Sequence, residues 1–329
     1  MTIGLTYDLR SDYLAEGFSE DAVLEFDSDN TVRLIEETIQ SLGYRTERIG
    51  HARRLCARLV QGERWELVFN IAEGVRGRCR EAQVPALLEL YGIPYTFSDP
   101  LVCAATLDKA VAKRLVRDAR VPTPAFCVVT CAADIERVAL AYPVFAKPIA
   151  EGTGKGISDH SRIESAARLA ETCRALLARY EQPVLIEEFL PGREFTVGIL
   201  GEGETARVIG TMEIHMRETM VGAIYSSATK ERYEELVTYS RLAAGALKTQ
   251  VEGVALAAYR ALECRDAARV DIRCDAHGAP CFLEVNPLPG LHPKHSDLPM
   301  IATQEGLPYH ELIRAIIAAA LARRDRNPA

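Results

Sequence analysis

The sequence predicts the α/β fold class, with a parallel α/β domain first and mixed α+β structure after it. In the first hundred residues, short apolar segments alternate with helical patterns, an order that favours a parallel sheet covered by helices. Two joints, at Pro122 to Pro124 and at Pro191-Gly192, then divide the rest of the chain. The 329 residues are enough for two or three domains.

The N-terminal elements are predicted from apolar spacing and from residues that end helices. Ile3 to Tyr7 is short and apolar, which is typical of a strand. Asn30 is predicted to cap a helix that ends at Gly43. Its apolar positions recur with helical spacing at Val32, Ile35, Ile39 and Leu42. Three more elements are predicted in this part: a buried strand over Trp65 to Ile71, a helix over Ala82 to Tyr91, and a strand over Ile93 to Phe97.

The later elements follow the same rules. A helix from about Leu107 to Ala119 is expected to end before Pro122. The next predicted elements are a strand over Val144 to Lys147, a glycine-rich loop, a helix over Ser165 to Tyr180 and a strand over Val184 to Phe189. Beyond Pro191-Gly192 we expect several strands, a helical stretch from about Glu234 to Cys264, a hairpin, a loop and a terminal helix.

Composition excludes several classes of protein. Hydrophobic residues make up 48% and charged residues 26% of the chain, values that are ordinary for a soluble globular protein. The net charge of −7, with Lys and Arg spread along the sequence, argues against a nucleic-acid partner. No apolar run approaches the roughly 20 residues that span a bilayer, and Met1 to Leu5 lacks the features of a signal peptide. We therefore expect no membrane partner and a cytoplasmic location. The nine cysteines show no zinc-binding spacing and are expected to be reduced thiols.

The segment from Ala268 to Asn286 predicts a β-hairpin whose arms alternate around His277-Gly278. With a two-residue turn there, Gly278 would adopt the positive φ that such turns require. This register sets three facing pairs: Asp271 with Glu284, Arg269 with Asn286, and Cys274 with Cys281. Because side chains alternate along a strand, the first two pairs share one face, with opposite Cβ atoms about 4.5–5.5 Å apart. We interpret the cysteine pair, on the other face, as packing.

The hairpin face suggests a cation site. Two facing carboxylates would repel each other, and a cation between them would remove the conflict. Hard oxygen ligands suit Mg²⁺, and the guanidinium of Arg269 would stabilise negative charge that develops nearby. The spacing leaves two interpretations open: a metal site, or a solvent-exposed face with incidental charges. A longer loop, or a glycine shifted by one position, would spoil the facing.

A glycine-rich loop follows the predicted strand that carries Lys147. Gly152, Gly154 and Gly156 would let backbone N–H groups approach an anion. The loop is not a Walker A motif, because that pattern needs a glycine five residues before Gly154, where Ile149 stands. Phosphate binding and a flexible turn with one surface lysine both remain open.

The segment from Ile186 to Leu190 has the character of a hinge between two domains. Its backbone would be placed to read the edge of an adenine base, a common location for a cofactor site. Glu194, seven residues after Glu187, would accept hydrogen bonds from ribose hydroxyls. Each acid taken singly also fits an ordinary surface residue.

An ordered series of segments runs from about Asn70 to the C-terminus. The series comprises Asn70-Ile71-Ala72-Glu73-Gly74, Gly92-Ile93-Pro94-Tyr95-Thr96, Leu107-Asp108-Lys109, Pro122-Thr123-Pro124, the strand and loop around Lys147, Pro191-Gly192-Arg193-Glu194-Phe195-Thr196-Val197, the hairpin, and Glu284 to Leu291. In this order the segments resemble the D-alanine–D-alanine ligase branch of the ATP-grasp superfamily. The resemblance implies an N-terminal α/β domain over 1–104 and two α+β subdomains, 105–190 and 191–329, that clasp ATP. It also strengthens the metal interpretation of the hairpin.

The resemblance implies roles at the matching positions. Contacts with ATP are implied for Lys113, Lys147, Thr153, Glu187, the backbone of Glu188, Phe189 and Leu190, and Glu194. Two Mg²⁺ ions, with Mn²⁺ as an alternative, are implied at Asp271, Glu284 and Asn286. Arg269 and the Gly290 amide would stabilise a tetrahedral intermediate. Lys230 would match the lysine of a mobile loop that spans about Met216 to Lys230.

The implied reaction joins a small-molecule carboxylate to an amine. A free carboxylate is a poor electrophile, so transfer of the γ-phosphoryl group makes an acyl phosphate, which the amine then attacks. Acyl phosphates hydrolyse, and a closing loop should therefore exclude water. The resemblance also implies a homodimer.

The departures from the family pattern concern the substrate pockets. The family's N-terminal glutamate motif is poorly matched by Tyr7 to Tyr13, Lys230 lacks an adjacent tyrosine, and the loop from His292 to Pro299 is longer and more charged. Ser296 is expected to match a substrate-binding serine. His295 would either meet an acidic substrate or carboxyl terminus, or lie in solvent. We therefore expect an amino acid or small peptide other than two D-alanines.

Three alternatives accompany this interpretation. One is a true D-alanine–D-alanine ligase of cell-wall synthesis, and another is a phosphotransferase. The third is an ATP-binding regulatory protein without turnover. The presence of Arg269 beside the metal residues argues against a regulator, because a nucleotide binder needs no group that stabilises an oxyanion.

Overall fold

The structure, a computed structural model, describes residues 1–216 and 237–326. The strands in these ranges are β1 (Thr2–Thr6), β2 (Arg45–Gly50), β3 (Leu67–Asn70), β4 (Phe126–Val129), β5 (Val144–Pro148), β6 (Arg162–Ile163), β7 (Val184–Glu188), β8 (Glu194–Leu200), β9 (Arg207–Met216), β10 (Val237–Arg241), β11 (Ala267–Cys274) and β12 (Pro280–Asn286). The helices are α1 (Arg10–Ala15), α2 (Asp29–Ser41), α3 (Ala52–Val60), α4 (Gln83–Leu90), α5 (Pro100–Leu107), α6 (Lys109–Asp118), α7 (Ala166–Tyr180), α8 (Ala246–Ala261), α9 (Asp297–Gln304) and α10 (Tyr309–Arg326).

The described strands form three sheets. The first is parallel, in the order β2-β1-β3. The second and third are antiparallel, in the orders β4-β7-β5-β6 and β10-β9-β8-β11-β12. The predicted α/β class with a parallel N-terminal sheet is confirmed. One sheet falls within each of the predicted ranges 1–104, 105–190 and 191–329, while the domain boundaries themselves stay a prediction.

The N-terminal sheet is covered by α2, whose apolar positions are those the sequence predicted. Val32, Ile35 and Ile39 are buried against the sheet. The predicted cap is wrong: Ser28, not Asn30, lies at the N-cap, and its hydroxyl accepts the N–H of Thr31. A hydroxyl at this position accepts from the third helical residue, and Ser28 stands three residues before Thr31.

The predicted strand over Ile93 to Phe97 does not form. Tyr95 makes only an isolated parallel bridge with Val68. Pro94 lacks the N–H that a ladder requires, and Phe97 adopts a positive φ of 71°. The segment therefore extends the sheet by one bridge, in which the N–H of Val68 donates to the Pro94 carbonyl at 2.8 Å.

The third sheet replaces part of a predicted helix. The stretch from Glu234 to Cys264 was expected to be helical, but Val237–Arg241 forms β10 and the helix α8 begins only at Ala246. The segment Val237 to Arg241 contains valine, threonine and tyrosine, which favour a strand, and it pairs with β9. Helix α8 covers one face of this sheet through Val251, Ala255 and Tyr259.

The last helix returns to the first sheet. Leu312, Ile313 and Ile316 of α10 are fully buried and pack in the same core as Ile3 of β1 and Ile35 of α2. The C-terminal residues therefore complete the N-terminal core.

Candidate active site

A cavity of about 430 Å³ lies between the second and third sheets and is also bordered by the N-terminal part of the chain. Fourteen of the predicted site residues line it: Lys147, Thr153, Glu187, Glu188, Phe189, Leu190, Glu194, Arg269, Asp271, Glu284, Asn286, Gly290, His295 and Ser296. They come from β5, β7, β8, β11 and β12 and from the loops that follow them. Lys230 and most of the predicted mobile loop lie outside the described residues.

Lys113 is the described site residue that the structure does not bring to the cavity wall. Its side chain is fully buried behind the wall, and its ammonium lies 3.0 Å from Glu187 and 3.4 Å from the Phe282 carbonyl. Burial is the main reason that the pKa of Lys113 is lowered, with the ammonium of Lys147 adding to it. Lys113 is thus placed to hold Glu187, and its predicted contact with ATP phosphates stays a prediction.

Lys109, one turn earlier on α6, lies close to the hairpin carboxylate of Glu284. Its ammonium lies 3.4 Å from Glu284 and donates to the Glu151 carbonyl at 2.5 Å. Lys109 belongs to the segment Leu107-Asp108-Lys109, but no role was predicted for it. Residues at i and i+4 share a helix face, and both lysines face β12, Lys109 at Glu284 and Lys113 at the Phe282 carbonyl.

The carboxylate of Glu187 lies between two lysines. Its oxygens are 2.8 Å from the Lys147 ammonium and 3.0 Å from that of Lys113. Burial would raise the pKa of Glu187, but the two ammonium groups outweigh it and lower the pKa. The side chain of Glu187 therefore orients Lys147, and only the backbone of this segment remains to contact a base.

The hairpin places its four polar residues as predicted, although by a different route. Asp271 pairs with Glu284 and Arg269 pairs with Asn286. The predicted two-residue turn is wrong: Cys274 pairs with Pro280, not with Cys281, and the connection is one residue longer. A β-bulge between Asp271 and Ile272 then leaves Leu283 unpaired on β12 and restores the predicted register.

The bulge has a consequence for the cavity. In a regular strand, neighbouring residues point to opposite faces. At the bulge, both Leu283 and Glu284 line the cavity, together with Asn286. One apolar and two polar side chains of β12 thus reach the same site.

The two facing carboxylates are electrostatically unequal. The pKa of Asp271 is raised by burial and by the charges of Glu284 and Asp297, against the opposing effect of Arg269. Burial would also raise the pKa of Glu284, but Lys109, Lys147 and Arg269 outweigh it and lower the pKa. The pair therefore holds unfavourable charge repulsion that a cation would relieve.

The residues of the hairpin fit a magnesium ion. Asp271 and Glu284 supply carboxylate oxygens and Asn286 an amide oxygen, which are the hard ligands that Mg²⁺ prefers. The Nδ2 atom of Asn286 is buried without a hydrogen-bond partner among the described residues, so the amide is not committed to a structural role there. Phosphate and water oxygens would have to complete the coordination shell, as is usual for this ion.

Arg269 is held by two carboxylates. Its Nη1 atom lies 2.8 Å from Asp297 and 3.2 Å from Asp271. Asp297 is the first residue of α9 and also lines the cavity. Asp297 was not predicted as a site residue, because only the fold shows that α9 begins beside β11.

The loop between β12 and α9 closes tightly around Gly290. A Cβ atom at position 290 would lie 2.8 Å from the hydroxyl oxygen of Ser296. That hydroxyl accepts the N–H of His292 at 3.0 Å. His295 is exposed at the rim, where its ring lies 4.5 Å from that of His292. The loop thus brings the Gly290 backbone, Ser296 and His295 to one side of the cavity.

The glycine-rich loop adopts backbone conformations that the glycines permit. Thr153 and Gly154 have positive φ values of 55° and 71°. Gly152, Thr153 and Gly154 line the cavity, and the N–H of Gly152 donates to Glu25. The loop therefore faces the cavity, as phosphate binding requires.

An apolar slot lies beside the hinge segment. Its walls are formed by Phe145, Ile157, Leu190, Ile214 and Leu283. At its edge, Arg273 donates to Glu194 at 3.0 Å and lies over the ring of Phe189. A flat aromatic base fits such a slot, since ligand pockets are mostly apolar with a few polar groups at defined positions.

Besides Asp297, four further acids in the cavity wall were not predicted. Glu25, Asp27, Glu73 and Glu81 come from two N-terminal segments about 50 residues apart in the sequence and line the same cavity. No spacing rule joins them, so no signal in the sequence could have found them as a group.

Comparisons with known proteins identify the family that this chain resembles. A family model described as D-ala D-ala ligase C-terminus matches residues 115–318. The D-alanine–D-alanine ligase of Ralstonia nicotianae is 34% identical over 256 residues, which cover 76% of this chain and 75% of the relative. The uncharacterized protein y4sG of Sinorhizobium fredii is 34% identical over 262 residues, covering 79% of this chain and 76% of the relative.

The chain belongs to the D-alanine–D-alanine ligase family. Its fold is that of the D-alanine–D-alanine ligase from Bacillus anthracis complexed with ATP, which matches with a TM-score of 0.75 at 22% identity over 99% of each chain. The family consists of ATP-grasp carbon–nitrogen ligases, so the predicted resemblance and the predicted enzyme class are both confirmed. Among the described residues, no helix has the length and apolar character needed to cross a membrane.

Proposed function

We propose that this member of the D-alanine–D-alanine ligase family uses ATP and magnesium to join the carboxylate of an amino acid or small peptide to an amine. The observation that carries the proposal is the pairing of Asp271 with Glu284 beside Arg269, in the cavity that also holds Lys147. This set combines oxygen ligands for a cation with a fixed cation for an oxyanion. A protein that only bound nucleotide would need the first but not the second.

The first half of the reaction needs positive charge around the transferred phosphoryl group. A substrate carboxylate oxygen attacks the γ-phosphorus while the bond to the leaving ADP breaks, and negative charge accumulates on the oxygens. Lys147 lies in the cavity wall and Lys109 lies 3.4 Å from Glu284, so both ammonium groups are placed to offset that charge. Magnesium held by Asp271, Glu284 and Asn286 would neutralise phosphate charge there.

The second half forms the amide bond. The amine nitrogen attacks the acyl carbon, the carbonyl oxygen becomes an oxyanion, and phosphate leaves with the electrons of the C–O bond. The guanidinium of Arg269 and the N–H of Gly290 are the donors proposed to stabilise that oxyanion. The contact with Asp297 fixes Arg269 for this role before substrate arrives.

The substrates are proposed to differ from two D-alanines. The cavity wall carries Asp297 next to Arg269, and the four unpredicted acids Glu25, Asp27, Glu73 and Glu81. Two small neutral side chains would leave three of these carboxylates, Asp27, Glu73 and Glu81, without a counterpart.

Release of ADP with each substrate alone and with both together tests the proposal. A ligase needs an acid and an amine for full turnover, a phosphotransferase needs one acceptor, and a regulator releases no ADP with any combination. We expect full turnover only with both substrates. Equal ADP release with one substrate alone, or none with any combination, would reject the ligase.

A further inference from the structure

One side of the cavity is lined by carboxylates that the proposed chemistry does not use. Glu25, Asp27, Glu73 and Glu81 form this side, which we call the acidic wall. The glycine-rich loop borders this wall, where the N–H of Gly152 donates to Glu25, and the hairpin carboxylates line the same cavity. An anionic nucleotide would avoid the acidic wall, so this part of the cavity is left for a substrate.

Among the residues that the structure describes, most of the acidic wall has no ion-pair partner. Glu25 is paired with Arg80 at 2.9 Å and accepts the Gly152 N–H. Within residues 1–216 and 237–326, the side chains of Asp27, Glu73 and Glu81 make no hydrogen bond or ion pair with any residue.

The nearest other cations are already engaged. Lys109 lies 3.4 Å from Glu284, and Lys155 lies 2.8 Å from Glu151. Asp8, which is buried beside Asp27, adds a further negative charge and accepts hydrogen bonds from Tyr13 and Gly74. The balance around the wall is therefore strongly negative.

The charges of the wall are costly to the folded protein. Burial raises the pKa of Glu73, and the neighbouring charges of Glu25, Glu81 and Asp27 raise it further, against the effect of Arg80. Burial also raises the pKa of Asp27 and of Glu81 to about 7. A bound cation would reverse these shifts, because it favours the ionised form of each acid.

A single metal ion does not explain the wall. No group of three or more acidic, histidine or cysteine side chains in the described part of the chain converges closely enough to hold a metal ion. Because these carboxylates do not converge on one point, they suit separate cationic groups on one organic molecule. A single α-amino group would match only one of the three unpartnered carboxylates.

We infer that one substrate of this ligase carries at least two cationic groups, as a basic amino acid or a peptide that contains one does. The inference rests on the proposed function, since it names the substrate of the same site. The acidic wall would bind the cationic groups and hold the reacting carboxylate or amine toward the hairpin.

Matched substrates test the inference by ADP release. The panel contains lysine, arginine and their dipeptides, with norleucine and citrulline as neutral counterparts of similar size, and D-alanine. We expect kcat/KM to be at least about tenfold higher for the basic members, since tenfold corresponds to one modest interaction. Higher kcat/KM for the neutral members would overturn the inference and leave the ligase standing, whereas no ADP release with any pair would count against the ligase.

Binding separates the inference from turnover. In calorimetry with a non-hydrolysable ATP analogue and magnesium, lysyl-lysine should bind wild type at least about tenfold more tightly than the triple variant Asp27→Asn, Glu73→Gln, Glu81→Gln. The control variant Glu37→Gln, Glu164→Gln, Glu171→Gln makes the same charge change at exposed side chains. Equal affinity in wild type and the first variant would overturn the inference. The first variant should melt no lower than wild type, because it removes repulsion rather than a contact.

Discussion

Asp297 holds the guanidinium of Arg269 at the position where the proposed chemistry needs a cation. The two groups lie 2.8 Å apart, and Asp271 approaches the same nitrogen at 3.2 Å. A charged hydrogen bond of this length fixes direction as well as charge. Asp297 is therefore a positioning residue that acts through Arg269.

Replacement of Asp297 tests this role. Asp297→Asn should lower kcat by up to about a hundredfold, because a small misplacement of a group that acts in the transition state has an effect of this size. The KM for ATP should stay near its wild-type value, since no nucleotide contact is removed. Asp297→Glu should recover part of the loss, and an effect confined to the melting temperature would contradict the positioning role.

The raised pKa of Asp27, a residue of the acidic wall, makes the stability of the folded protein depend on pH. Its pKa is raised to about 7 by burial and by Asp8, whereas the ordinary pKa of an aspartate is about 3.9. Between these values the folded protein holds a proton that the unfolded chain has lost, so stability falls as pH rises through this window.

The variant Asp27→Asn should remove that dependence. The two melting temperatures should be most similar near pH 4, because only around and below the ordinary aspartate pKa of about 3.9 does the unfolded chain also keep the proton. At pH 8 the variant should melt higher than wild type, because it carries no buried charge. A difference between the two proteins that stays constant from pH 5 to pH 8 would show that Asp27 is not held protonated.

At the scale of elements, the hairpin shows how two irregularities combine. The connection between β11 and β12 is one residue longer than predicted, and the unpaired Leu283 compensates for it. Without the bulge, Glu284 and Asn286 would turn to the opposite face, because a slip of one residue reverses every side chain beyond it.

Single-residue deletions separate the two irregularities. Deletion of Leu283 removes the extra residue of the bulge, so Glu284 and Asn286 should still face Asp271 and Arg269 and ADP release should be retained. Deletion of Ala276 shortens the same hairpin at its turn and should be tolerated, because the bulge still fixes the register at Glu284. Loss of turnover in the Leu283 deletion variant, with unchanged far-UV circular dichroism, would refute this account of the bulge.

The same hairpin shows what the sequence can predict about elements. Alternation of residue types identified the facing pairs Asp271 with Glu284 and Arg269 with Asn286, because a buried polar face imposes register. The bulge was not predictable, since no glycine or proline marks Leu283. Lys109 and Lys113 share a helix face, and the predicted contact of Lys113 with ATP phosphates stays a prediction.

At the scale of the whole molecule, the last helix packs against the N-terminal core. Ile316 of the last helix packs beside Ile3 and Ile35 in the N-terminal core. Motif order and the strand–helix alternation were sufficient to predict the class and the family. They could not predict which helix covers the first sheet or that N-terminal acids line the cavity, because both depend on contacts between segments that are distant in sequence.

Truncation of the Ile316 side chain tests the contact between the last helix and the N-terminal core. Ile316→Ala should lower the free energy of unfolding by about 2–5 kcal/mol, the usual effect of removing a large buried aliphatic side chain. The exposed neighbour Arg314→Ala should change it by no more than about 0.5 kcal/mol. Urea denaturation followed by the fluorescence of Trp65, which lies in the N-terminal part, would detect the loss there. An unchanged midpoint for Ile316→Ala would contradict the shared core.

The most direct measurement of the central claim is ADP release by Glu284→Gln in the presence of both substrates. The change removes one carboxylate charge from the pair that faces Asp271 and keeps the shape of the side chain. The account predicts that turnover is abolished. The control Glu37→Gln, whose side chain is exposed on α2, should release ADP at the wild-type rate. Wild-type turnover by Glu284→Gln would contradict the claim that this hairpin is the site of ligase chemistry.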